Sequence, residues 1–224
     1  MNIIVISAHP DDEILGVGGT LIRHRNKGDI LHWIIVTDVH EEYGFTKARV
    51  KSRHEEINKV ADLLQMNVYN LGYPTMSLTP SDANDMIPKI SEIFNKTQPE
   101  RIYVLNRSDA HSDHRIVFNS VMACTKSFRY PFIREVMMYE CISETEFAPS
   151  LPENAFVPNC YVDISEQFEE KIKLMNIYES EMGIHPFPRS NRNIEALAIH
   201  RGATCGVEYA EAFQLIKSFR IEKL

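Results

Sequence analysis

Apolar and polar positions alternate along this chain on two different periods. Residues 2–8 (NIIVISA) form a continuous, mostly β-branched run, the pattern of a strand buried on both faces. Residues 30–38 (ILHWIIVTD) and 101–105 (RIYVL) repeat it, with a shorter run at 68–71 between them. The intervening stretches have helical spacing. Residues 20–26 read as a helix ended by Gly28-Asp29, and 47–64 place Val50, Ile57, Val60, Ala61 and Leu64 on one face. Residues 82–96 follow Ser81 as an N-cap, and 115–128 give a fourth helix. Strands separated by helices of ordinary length predict parallel βαβ units. The fold class expected is α/β, a Rossmann-like three-layer sandwich with a mostly parallel sheet. The second half is less regular and is expected to pack on the same core. Residues 134–141 and 160–164 read as strands, and 168–179 and 194–199 as helices. A loop at 183–192 (GIHPFPRSNR) is too polar for the core and suits the rim of a site. No linker divides the chain, so 1–224 is expected to be one domain.

Composition narrows the class without naming a chemistry. Hydrophobic residues are 44% and charged residues 25%, which excludes disorder as the main state. Lys plus Arg number 24 against 31 Asp plus Glu, a net charge of −7, which argues against duplex nucleic acid as a partner. The four cysteines have no CxxC spacing, and the apolar run at the start is too short for a signal or membrane segment. A cytoplasmic protein with reduced thiols and no integral membrane segment is expected. Nothing here fixes the oligomeric state, and a homo-oligomer stays open.

The chemistry concentrates at two places. His9-Pro10-Asp11-Asp12-Glu13 follows the first strand, and Asp109-Ala110-His111-Ser112-Asp113-His114 follows the fourth. Ligands of open α/β sheets sit beyond the carboxyl ends of strands, where successive connections diverge. With strand order 3-2-1-4, both clusters face one crevice. Imidazoles and carboxylates together suit a divalent metal, zinc above all. The surplus carboxylates leave one free as a general base. Gly16-Val17-Gly18-Gly19-Thr20 does not supply a dinucleotide fingerprint. Its third glycine would fall on Leu21, and the run begins too far beyond the strand.

AHPDDEILGVGGTL with the later HSDHR resembles the PIG-L/LmbE-like family of zinc-dependent N-acetylglucosamine deacetylases, whose signature pairs AHPDDE with HxDH. The resemblance extends through Arg53-His54-Glu55-Glu56, Asn70 to Pro74, Met138-Tyr139-Glu140, Val162-Asp163-Ile164 and the tail from Arg201 to Phe213. It implies His9, Asp12 and His114 as metal ligands and Asp11 as the general base. It implies that His111 stabilises the oxyanion and protonates the leaving amine, with Asp113 orienting it. Zn(II) is the implied cofactor, and the same ligand types suit Fe(II) and Co(II). The implied substrate is a small acetamido sugar or its conjugate. Arg53, Glu140, Arg189 and Arg192 are the candidate substrate contacts, the last two from the basic loop that also holds His185. Two departures stand out. Ser112 replaces the usual proline of HxDH, and Thr75 replaces an aspartate common in the family, which bears on how a sugar is held. Two other readings remain: a zinc amidohydrolase for a different N-acyl substrate, such as an antibiotic or thiol precursor, and a metal-containing binding module without turnover.

Overall fold

The structure, a computed structural model, describes residues 1–220. Seven strands form one sheet: β1 (Asn2–Ser7), β2 (Ile30–Asp38), β3 (Met66–Pro74), β4 (Arg101–Leu105), β5 (Glu135–Tyr139), β6 (Cys160–Asp163) and β7 (Ala210–Ser218). Among the described residues six α-helices accompany them: α1 (Asp12–Asn26), α2 (Lys47–Leu64), α3 (Ala83–Thr97), α4 (Ser112–Ala123), α5 (Phe168–Met175) and α6 (Asn191–Cys205). The sheet order is β3-β2-β1-β4-β5-β7-β6, parallel from β3 to β5 and antiparallel for β7 and β6. The expected α/β architecture and the 3-2-1-4 order are both present.

The central strands form where the sequence is apolar on both faces. All of β1 beyond Asn2 and all of β2 beyond Ile30 are buried. A right-handed crossover then sends each connection to the face fixed by its direction of travel. β1 leads to β2 on one side, while β4, its other neighbour, leads to β5 on the opposite side. The carboxyl ends of β1 and β4 therefore lie together where the connections diverge, as the order predicts.

Two differences from the sequence reading matter most for the packing of α1, beside smaller ones such as α6, expected over 194–199 and observed over Asn191–Cys205, and α4, expected over 115–128 and observed over Ser112–Ala123. The first helix starts at Asp12, eight residues before the expected Thr20, so the glycine run is helical. A Cβ on Gly16 would lie 2.2 Å from Tyr139 Cδ2 and 2.7 Å from the Glu140 carbonyl, and one on Gly19 would lie 2.6 Å from Ile164 Cγ2. These glycines allow α1 to settle against the second half of the chain, and the tertiary gain outweighs their poor helix propensity. The other difference is β7, which the sequence reading left out. Its residue Glu211 is buried, and its carboxylate accepts from the Gly19 and Thr20 N–H groups, both at 2.8 Å. Lys171 of α5 donates to Glu211 at 2.7 Å and to the Leu15 carbonyl at 2.9 Å. A buried ion pair thus binds backbone donors and an acceptor in the middle of α1.

Removing one partner of a buried pair leaves an uncompensated charge. Lys171→Met is expected to cost ~3–5 kcal/mol of unfolding free energy. Urea denaturation monitored by circular dichroism checks this, and an unchanged midpoint would show that the pair does not support α1.

Candidate active site

The site begins with one tight turn. β1 ends at Ser7 and α1 begins at Asp12, so four residues must reverse the chain. Asp12 Oδ2 accepts from the Ala8 N–H at 3.0 Å and the His9 N–H at 2.8 Å, closing the turn. Asp11 occupies the N-cap with φ 133° and ψ −31°, a conformation few non-glycine residues adopt. Arg53 donates to the Pro10 carbonyl at 2.7 Å and Glu13 accepts from the Asp11 N–H at 3.1 Å, so the strained turn is held from outside.

α4 supplies the other wall. Its N-cap is His111, whose Nδ1 accepts from the Asp113 N–H at 3.1 Å. His114, one turn along, is fully buried, and its Nδ1 lies 2.9 Å from Asp109 Oδ2. Its Nε2 is buried with no hydrogen-bond partner and faces Asp12 Oδ1 at 3.4 Å. His9 is arranged in the same way. Nε2 meets Asp113 Oδ2 at 3.2 Å, and Nδ1 is turned toward Asp12 Oδ2 at 3.9 Å. Each imidazole thus has a carboxylate on one nitrogen, which holds a proton there and turns the other nitrogen inward.

Ligand atoms of His9, Asp12 and His114 lie within 4.8 Å of one another, a group able to hold a metal ion. A second group, His9, His111 and Asp113, meets the same limit but fits worse. The Asp113 carboxylate is occupied by His9 and by the Met76 and Leu78 N–H groups at 2.9 and 3.1 Å. The buried, unpartnered His114 Nε2 decides for the first group, because an orphaned buried nitrogen carries a desolvation cost that a metal ion removes. The sequence-predicted ligands are therefore brought together.

Electrostatics divides the two neighbouring aspartates. Burial pushes the Asp11 carboxyl well above its usual range, and the charges of Asp12 and Glu181 add to that, against Arg189 and Arg53. Burial also acts on Asp12, but His114 and His9 outweigh it and hold its carboxyl below the usual range. Burial lowers His111 to about 4, with His9 and His114 contributing, so its imidazole is neutral at pH 7. His114 resists its own burial through Asp12 and Asp109 and is raised to about 9.

The crevice, of about 330 Å³, is lined by His9, Asp11, Asp12, His111 and His114, and its mouth by Arg49, Arg53, Glu181 and Arg189. The other substrate candidates lie elsewhere. Glu140 does not face the crevice, because Arg201 holds its carboxylate at 2.8 and 2.6 Å. Arg192 is exposed in the first turn of α6 and does not line the crevice, where helix geometry turns it to solvent. The expected contact from the Asp113 carboxylate to His111 is also not made. That carboxylate positions His9 and the residue 76–78 loop, and only its backbone N–H reaches His111.

A model of the PIG-L family, described as GlcNAc-PI de-N-acetylase, matches residues 4–125, more than half of the chain. The protein belongs to the PIG-L family. Among curated relatives, the uncharacterized deacetylase YaiS of Escherichia coli (strain K12) is 25% identical over 177 residues, 74% of this chain and 83% of YaiS. The N,N'-diacetylchitobiose deacetylase of Pyrococcus horikoshii, solved with an inhibitor, superposes with a TM-score of 0.77 at 21% identity, covering 96% of this chain and 84% of that one. The fold also extends to another activity. The 4-carboxy-2-hydroxymuconate hydratase GalB of Pseudomonas putida KT2440 superposes with a TM-score of 0.75 at 18% identity, over 100% of this chain and 99% of its own. This PIG-L fold therefore does not by itself choose a reaction, and side chains must.

Several site residues carried no assigned role at the sequence level. Asp109 supports His114 and accepts from Asn106 at 2.8 Å and Thr145 at 2.7 Å. A carboxylate five residues before a candidate ligand histidine was the available signal. Cys141 donates to Asp12 Oδ1 at 3.3 Å, and burial, with Asp12 and Asp109, pushes its thiol well up and keeps it a donor. Glu181 and Tyr178 left no signal, since they reach the site only through tertiary packing.

His114→Ala is expected to abolish stoichiometric metal binding. Asp109→Asn should keep the fold and weaken metal affinity about 10- to 100-fold by removing the carboxylate behind His114. Chelator competition measures both, and wild-type affinity in Asp109→Asn would remove Asp109 from the site.

Proposed function

We propose that the protein is a zinc-dependent N-deacetylase acting on an acetamido sugar or its conjugate. The observation that carries the reading is the unpartnered, buried His114 Nε2 aimed at Asp12 beside a strained, buried Asp11 on the same crevice wall. His9, Asp12 and His114 would hold the ion, a nitrogen- and oxygen-rich set suited to catalytic zinc. A divalent cation there supplies Lewis-acid charge, lowers the pKa of a water from 15.7 to about 7 and favours the ionised form of the adjacent Asp11.

The chain's own groups account for the remaining chemistry. Asp11 is the proton acceptor, since it lines the crevice and is neither a ligand nor tied by its side chain. Its burial gives it high proton affinity, which suits it to hold the proton and return it to the amine as the C–N bond breaks. His111 is the oxyanion donor. With Nδ1 accepting from the Asp113 N–H and the imidazole neutral, the ring proton is on Nε2, which makes it the hydrogen-bond donor His111 would offer to the crevice it lines. This differs from the expected imidazolium acid and follows from that backbone contact. Arg53 and Arg189 support the mouth of the crevice.

The expected outcome in an acetate-release assay on a panel of acetamido sugars is turnover by metal-loaded protein and none after chelation. Asp11→Asn should retain the metal and lose activity by a factor of about 10²–10⁴. Undiminished turnover in that variant would sink the base assignment. Acetate release only from non-sugar N-acyl compounds would keep the chemistry and replace the substrate.

A further inference from the structure

The mouth of the crevice holds three guanidinium groups around one carboxylate. Glu181, in a 3-10 turn (Glu179–Glu181), accepts from Arg49 at 2.8 Å and from Arg53 through Oε1, and its Oε2 meets Arg189 at 3.3 Å. Such a trio would ordinarily read as a site for a substrate carboxylate or phosphate. Most of its donors, however, are already used. Arg53 donates from NH1 to the Pro10 carbonyl at 2.7 Å, and its Nε faces Glu56 at 3.4 Å. Arg189 donates to the Glu181 carbonyl at 2.8 Å and to Ser143 Oγ at 2.7 Å. Arg49 has a second carboxylate at 3.4 Å, again Glu56. All three nitrogens of Arg189 and both terminal nitrogens of Arg53 therefore bond to this chain, while the buried Arg53 Nε lies near Glu56 without hydrogen-bonding it. Two glutamates flank the three arginines, and Asp11 lies beside them.

We infer that Glu181 is a specificity-determining residue: it fills the arginine cluster at the crevice mouth, so that the enzyme accepts an uncharged substrate end there and rejects an anionic one. An incoming phosphate or carboxylate would meet Glu181, which lines the crevice, as a like charge. To reach a guanidinium fork it would have to displace a carboxylate held at three points. A hydroxyl-bearing sugar faces no such competition, because it can approach the carboxylate edge as a donor. The part concerning turnover rests on the deacetylase reading, and the part concerning the cluster does not.

The experiment uses metal-loaded protein and two kinds of probe. The first is acetate release from the methyl glycoside of N-acetylglucosamine, compared with its 1-phosphate and 6-phosphate. Wild type is expected to favour the neutral glycoside in kcat/KM by about tenfold or more, the scale of one lost charge-assisted hydrogen bond. Glu181→Gln should narrow that ratio by accelerating the phosphorylated sugars. The second probe is inorganic phosphate, titrated by calorimetry. Glu181→Gln should bind it about tenfold more tightly than wild type, and the gain should vanish in the double variant Glu181→Gln with Arg49→Met. Faster turnover of either sugar phosphate by wild type, or equal phosphate affinity in wild type and Glu181→Gln, overturns the inference. If no sugar releases acetate, the deacetylase reading fails while the phosphate titration still decides the role of Glu181. If Glu181→Gln does not fold, the wild-type preference among the three sugars decides it.

Discussion

The carboxylate of Asp12 is the interaction on which the rest of the site depends. One of its oxygens closes the turn from β1 into α1 by accepting two backbone N–H groups. Its other oxygen faces the unpartnered nitrogen of His114 across the gap to α4 and accepts from Cys141. A single side chain therefore fixes where the helix starts and where the two walls meet. Asparagine would offer only one acceptor oxygen to these two tasks.

That turn concentrates negative charge at the ends of β1 and β4. Asp11, Asp12, Glu13, Asp109 and Asp113 are all buried there, which is costly unless each is compensated. The structure compensates them in different ways, and the differences define their roles. Asp113 takes two loop N–H groups and His9, and Asp109 takes His114, Asn106 and Thr145. Glu13 takes the Tyr178 hydroxyl at 2.8 Å and the Asp11 N–H, yet burial still raises it to about 8. The Asp11 side chain, by contrast, accepts no hydrogen bond from the turn it caps, and it lines the crevice beside Asp12. The residue with the least structural work is the one proposed above as the proton acceptor.

Much of this could be read from the sequence, for physical reasons. β2, β4 and α2 were placed at their observed bounds because a strand buried on both faces, or a long charged helix with one apolar stripe, leaves a local pattern. The convergence of His9, Asp12 and His114 was legible because they lie within two short motifs, each at the end of a strand. The start of α1 was not, since glycines that serve close packing look locally like a loop. Nor was β7, whose buried Glu211 breaks the apolar alternation and has its meaning only beside Lys171. Glu140 illustrates the converse. It occupies a strand end near the site, but its direction is set by Arg201, sixty-one residues away in sequence.

The division between the two halves of the chain follows from these contacts. The family match ends at residue 125, and every proposed ligand and proton carrier lies before it. Cys141, Tyr178, Glu181 and Arg189 lie after it, as do the Lys171 and Glu211 groups that grip the middle of α1. The first half carries the groups proposed as reactive, and the second packs against them and adds Glu181 and Arg189 to the Arg49 and Arg53 of the crevice mouth. A fold shared by a deacetylase and a hydratase is consistent with that division. The strand-end geometry can be kept while the groups brought by later elements change what enters and how it is held. The crevice is thus shared between the halves, Arg49 and Arg53 coming from before residue 125 and Glu181 and Arg189 from after it, where contacts are long-range and sequence periodicity says least.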